Sequence, residues 1–121
     1  MRSYKIISIV RGIGVPEEFL KIIEECIIIG YTAKAILVGD ALKEDYLPGY
    51  IELWCSNPEE TIMKAKKLKL RVYGGKRHIT ITDKYTACHM KIILNHPQPR
   101  KTKTIKVKEH KLKIEKATYF T

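Results

Sequence analysis

The chain has 121 residues, 45% of them hydrophobic and 30% charged, which suits one packed, globular domain and is too short for two separate cores. Its formal charge of +10 is unevenly spread: 11 Lys and Arg face 10 Asp and Glu as far as Gly75, and 12 face 3 from Lys76 onwards. A field concentrated on one segment points to a polyanionic partner, nucleic acid above all; the alternative is a lysine-rich face that only keeps the chain solvated.

No apolar run approaches the ~20 residues of a membrane-spanning helix, and the strand-like start carries no small-residue cleavage site. The expectations are therefore no membrane partner, no secretory signal and a cytoplasmic address. Cys26, Cys55 and Cys88 are odd in number, widely spaced and set in apolar patterns, which predicts reduced, buried thiols. Abundant Ile, Lys and Glu with a single Gln match the bias of hyperthermophile proteins, a bias that genome base composition also produces.

In chain order, Tyr4 to Val10 is short and β-branched and reads as a strand. Gly12-Ile13-Gly14 reads as a turn, since it lacks the third glycine of a dinucleotide fingerprint and the Gly-Lys-Ser/Thr of a P-loop. A helix is predicted from about Pro16 to Ile29, with Phe19, Ile22, Ile23, Cys26 and Ile27 as its apolar stripe and Gly30 just past its end. Thr32 to Val38 reads as a second strand and Gly39 to Pro48 as a loop. In Tyr50 to Cys55 the side chains alternate, placing Ile51, Leu53 and Cys55 on one face and Tyr50, Glu52 and Trp54 on the other. Asn57, Pro58 and Glu60 form a helix start, and Thr61, Ile62, Ala65 and Leu68 recur at helical spacing behind it.

Arg71-Val72-Tyr73, a Gly74-Gly75 turn and the alternating His78 to Thr82 follow as a hairpin, with Ile79 and Ile81 inward. The order strand, helix, strand, strand, helix, strand predicts a ferredoxin-like two-layer α/β (α+β) sandwich over residues 1–82, an antiparallel sheet with two helices on one face. Residues 83–121 then form a basic, β-rich C-terminal extension packed on the same domain. Within it, Asp83 to Asn95 satisfies a strand pattern and a helix pattern alike, with the strand preferred. His96 to Lys101 reads as a linker, and Ile105, Val107, Leu112 and Ile114 alternate with lysines about Glu109-His110 as an exposed hairpin.

Gly49-Tyr50, Leu53 and the Pro58-Glu59-Glu60 helix start resemble the second half of an RNA-recognition-motif domain. In that family the strand carries a K/R-G-F/Y-G/A-F-V-x-F/Y motif whose outward aromatics stack on bases. Gly49, Tyr50 and Leu53 match its second, third and sixth positions; Pro48, Glu52 and Cys55 depart from it, and Ser8 or Ile6 stands where the first strand would carry an aromatic. The resemblance implies a base-stacking sheet face, on which Tyr50 and Trp54 would supply the rings.

The expected function is non-enzymatic binding of RNA or single-stranded DNA, through Tyr50, Trp54, Lys76, Arg77, His78, Arg100, Lys101, Lys103, Lys106 and Lys108. A homodimer built by adding C-terminal edge strands is one alternative. Another is a metal-independent ribonuclease using His78 beside Lys76 and Arg77. Neither a cofactor nor a metal is expected: His78, His89, His96 and His110 form no metal-binding pair, no Cys-x-x-Cys is present, and the acids cluster at helix starts where capping accounts for them.

Overall fold

The computed structural model describes residues 17–38, 50–83, 89–107 and 109–116. The expected first strand, the Gly12-Ile13-Gly14 turn, the loop from Gly39, Cys88 and Lys108 lie outside the described residues. In chain order the elements are α1 (Glu17–Ile23), β1 (Ile27–Ile28), α2 (Gly30–Val38), β2 (Ile51–Trp54), α3 (Pro58–Lys67), β3 (Arg71–Tyr73), β4 (His78–Thr82), β5 (His89–Ile93), β6 (Thr102–Val107) and β7 (His110–Glu115).

All seven strands join one sheet in the order β3-β4-β5-β2-β1-β7-β6. The sheet is mixed: β2 pairs β5 in parallel and β1 pairs β7 in parallel, while β1–β2, β3–β4, β4–β5 and β6–β7 are antiparallel. This overturns the expected ferredoxin-like sandwich, which has a purely antiparallel sheet and two helices. Strands from beyond residue 83 enter the middle of the sheet instead of lying on it, with β5 beside β2 and β7 beside β1.

Two local expectations fail for identifiable reasons. The first helix stops at Ile23, where Glu25 N and Cys26 N bond to Ile22 O and Ile23 O in a tightened last turn, and Ile27–Ile28 become sheet. Thr32 to Val38, expected as a strand, is helix α2. Ala33, Ile36 and Leu37, at i, i+3 and i+4, all meet the core, so the helical period was present beneath the β-branched residues. The Asn57 cap forms as expected: its Oδ1 accepts from Glu60 N at 3.2 Å, with Pro58 in the first turn.

The core lies against one sheet face and draws on all three helices, α2 through Ala33. Phe19, Leu20, Ile22 and Ile23 of α1 and Ala65 of α3 meet Ile51, Leu53, Ile81, Met90, Ile92, Leu112 and Ile114 from four strands and Ile28 from β1. Within it Cys26 and Cys55 form a disulfide with Cα atoms 4.5 Å apart, correcting the expected free thiols. Both are apolar-set because both are core residues, and the β1–β2 pairing brings them together although 29 residues separate them. Lys64 ties α3 to α1 through Glu25, at 2.8 Å, and the carbonyl of Lys21, at 3.1 Å.

His110, at the start of β7, is buried against α1, with Nε2 2.5 Å from Glu17 Oε1 and Nδ1 3.0 Å from Glu24 Oε2. A neutral imidazole has one N–H, so only the imidazolium donates to both carboxylates. The bonds to Glu17 and then Glu24 raise its pKa above the usual 6.5.

Two outcomes follow for stability. Closing a 29-residue loop contributes about 3.6 kcal/mol, so denaturant unfolding with and without a reductant should differ by that amount. Because the folded pKa of His110 is raised, its contribution is complete below about pH 6.5 and is lost as pH rises through the folded value. His110→Gln should therefore cost about 1–2 kcal/mol at pH 6, with both carboxylates partly exposed, and progressively less at alkaline pH, as read from melts across a pH series.

Candidate nucleic-acid interface

Strand alternation divides the sheet into two faces of different chemistry. Apart from Lys103 and His110, residues of the core face belong to the apolar cluster; none of those on the other, outer face does. On the outer face β2 presents Glu52 and Trp54, β5 presents His89, Lys91 and Ile93, and β4 presents His78, Thr80 and Thr82. Across β1 the face continues with Ile27, then Lys111, Lys113 and Glu115 of β7 and Thr104 and Lys106 of β6. Apart from the buried Thr82, these side chains are half-buried or exposed.

Two cross-strand rows of this face have opposite character. In the first, Trp54 pairs Ile27, Ile27 pairs Lys113, and Lys113 pairs Thr104. Continuing the parallel register of Leu53 with Ile92 puts Ile93 on the other flank of Trp54, and Ile93 pairs His78. The row thus has an aromatic and two isoleucines at its centre, His78 at one end, and Lys113 followed by Thr104 at the other. In the second, Glu52 is the neighbour of Lys91, and Glu115 lies across from Thr102.

Both carboxylates of the second row are engaged at the start of α2. Tyr31 N donates to Glu52 Oε1 at 2.9 Å and Gly30 N donates to Glu115 Oε2 at 3.3 Å, satisfying amides a helix leaves unpaired. Thr32 Oγ1 completes the junction, accepting from Glu52 N at 3.1 Å and donating to Tyr50 O at 3.4 Å. Gly30 has φ +65°, and a Cβ there would stand 2.6 Å from the Glu52 carboxylate, so the junction requires glycine. His96 Nε2 lies 3.7 Å from Glu115 Oε1.

Burial raises the pKa of Glu52, outweighing the Tyr31 and Thr32 amides and the nearby His96 that lower it; Glu115 adds to the rise. With the acids so committed, the cations stay uncompensated. Among the described residues, Lys106, Lys111 and Lys113 form no ion pair, and Lys106 and Lys111 stand directly opposite each other, an arrangement that repels.

The structure gathers some of the residues expected from sequence and scatters others. Trp54, Tyr50, His78 and Lys106 share the outer side, the Tyr50 ring lying beneath Lys91 Nζ at 4.2 Å from its centroid. Lys103 pairs Ile114 and so belongs to the opposite face, at the edge of the sheet. Lys76 and Arg77 are exposed in the β3–β4 connection, where Arg77 O accepts from Leu94 N, and Arg100 and Lys101 are exposed ahead of β6. Lys91, Lys111 and Lys113 were not anticipated, although each alternates with buried residues (Met90 and Ile92, Leu112 and Ile114), which is the mark of a strand's outer face.

Among the described residues no group of three His, Cys, Asp or Glu side chains comes together to hold a metal ion, and no helix is long and apolar enough to cross a membrane. The Glu52 arrangement has a measurable consequence. Its folded pKa is raised, so the fold favours the neutral carboxyl, and stability is lost as pH rises through that value. Glu52→Gln, which keeps an acceptor for Tyr31 N, should melt at a higher temperature than the parent at pH 7 and at the same temperature near pH 4, where Glu52 is itself protonated. No family model matches the chain, and comparison with curated proteins and with solved structures likewise finds no match.

Proposed function

We propose that the chain is a non-enzymatic binder of nucleic acid, RNA or single-stranded DNA, that uses the outer sheet face. The observation that carries this reading is the uncompensated array of Lys106, Lys111 and Lys113 running up to the half-buried Trp54 on one face. Lysines that repel one another across a hairpin are stabilised by a polyanion, and a tryptophan among them offers a stacking surface to any base. Net charge supports the same partner, since a chain at +10 attracts phosphates over several ångströms before contact.

Assembly through the β6 edge receives less support from the same residues. Edge strands that carry lysines, as β6 does with Lys103 and Lys106, resist the addition of another strand.

Fluorescence anisotropy against matched single-stranded and duplex RNA and DNA over a salt series tests the proposal. Log affinity should fall linearly with log salt at about −0.7 per phosphate contact for single strands. Lys111→Glu with Lys113→Glu should weaken binding and flatten that slope. Trp54→Ala should cost ~1–3 kcal/mol per stacked base, with quenching of the single tryptophan by ligand in the parent protein as the direct readout. Salt-independent binding, or no binding to any of the four probes, would count against it.

A further inference from the structure

The two rows of the outer face differ enough to specify how a ligand lies on it. The Trp54 row runs His78, Ile93, Trp54, Ile27, Lys113 and Thr104 across six strands, from β4 to β6. Its centre is apolar and uncharged, and its lysine lies toward one end. The neighbouring row, about 7 Å along the strands, carries Glu52 and Glu115, both fastened to the amides of α2.

We infer that the ligand is one polynucleotide strand laid across the β-strands along the Trp54 row, about four nucleotides long, and that the Glu52 and Glu115 row closes the site to duplex. This rests on the nucleic-acid reading above and adds the footprint, course and strandedness of the ligand. The length follows from the strand spacing: five intervals of ~4.8 Å give roughly 24 Å, room for about four extended nucleotides.

Bases that leave a stack need apolar surface, and Ile93, Trp54 and Ile27 supply a continuous strip of it across three adjacent strands. The phosphates need cations, and Lys113, with Lys111 and Lys106 beyond it, supplies them at the β7–β6 end. A duplex would hide its bases from the strip and bring its second phosphate backbone over the two carboxylates. Both effects favour a single strand.

The test is a length series of oligothymidylate and oligouridylate from two to twelve nucleotides, with a twelve-base-pair duplex, read by anisotropy and by Trp54 fluorescence on the full chain. Affinity should rise steeply to about four nucleotides and thereafter only by the statistical gain of more registers, with tryptophan quenching complete at the same length. Lys113→Gln should lower affinity for the tetramer at least threefold, while Lys103→Gln, on the opposite face, should leave it unchanged. Preference between thymidylate and uridylate distinguishes DNA from RNA as the source of the strand. Duplex bound as tightly as a single strand of equal length, or affinity climbing without a break to twelve nucleotides, would overturn the footprint and leave the nucleic-acid reading standing. Absence of binding to every probe would remove both.

Discussion

Ile27 and Ile28 are the residues through which the two parts of the described sheet are hydrogen-bonded, β2 on one side and β7 on the other. A two-residue strand makes few ladder bonds, and its neighbours must be held by other means. The Cys26–Cys55 disulfide closes one end, and at the other the chain turns at Gly30 into α2, whose first amides are taken by Glu52 from β2 and Glu115 from β7. Three kinds of bond thus span the same seam. Apolar burial adds the fourth, since Ile28 lies in the core between Leu53 and Ile114.

That seam also organises the charge on the outer face. Because the helix start draws both carboxylates to one row, the next row is left with Trp54, its two isoleucine neighbours and Lys113. Structural capping and candidate binding surface are therefore consequences of one arrangement. The His110 clasp fixes β7 to α1 on the core side, so the hairpin that carries the lysines is anchored by an imidazole buried between Glu17 and Glu24.

The disulfide bears on the expected cytoplasmic address. Disulfides persist in oxidising compartments and also inside hyperthermophile cells, and are rare in the cytosol of other cells. Either setting is consistent with a bond buried at the β1–β2 seam, where the surrounding core restricts access by reductants.

Local chemistry determined a good part of this protein. The alternation of Ile51, Leu53 and Cys55 against Tyr50, Glu52 and Trp54, the Asn57-Pro58 helix start, the 78–82 strand and the hairpin about Glu109-His110 follow from side-chain period and capping, which act over a few residues. What only the tertiary structure decided acts over longer separations. Thr32 to Val38 carried a helical period as well as β-branched residues, and the carboxylates that take the first amides of that helix lie 20 and more residues away; Cys26 and Cys55 bonded because β1 pairs β2. The parallel pairings of β2 with β5 and β1 with β7 decide which lysines stand beside Trp54, and strand period alone carries no record of a neighbour. Lys103 and Lys106, three residues apart in one strand, fall on opposite faces by alternation alone, whereas the pairing of Lys106 with Lys111 and of Lys103 with Ile114 came only from the register.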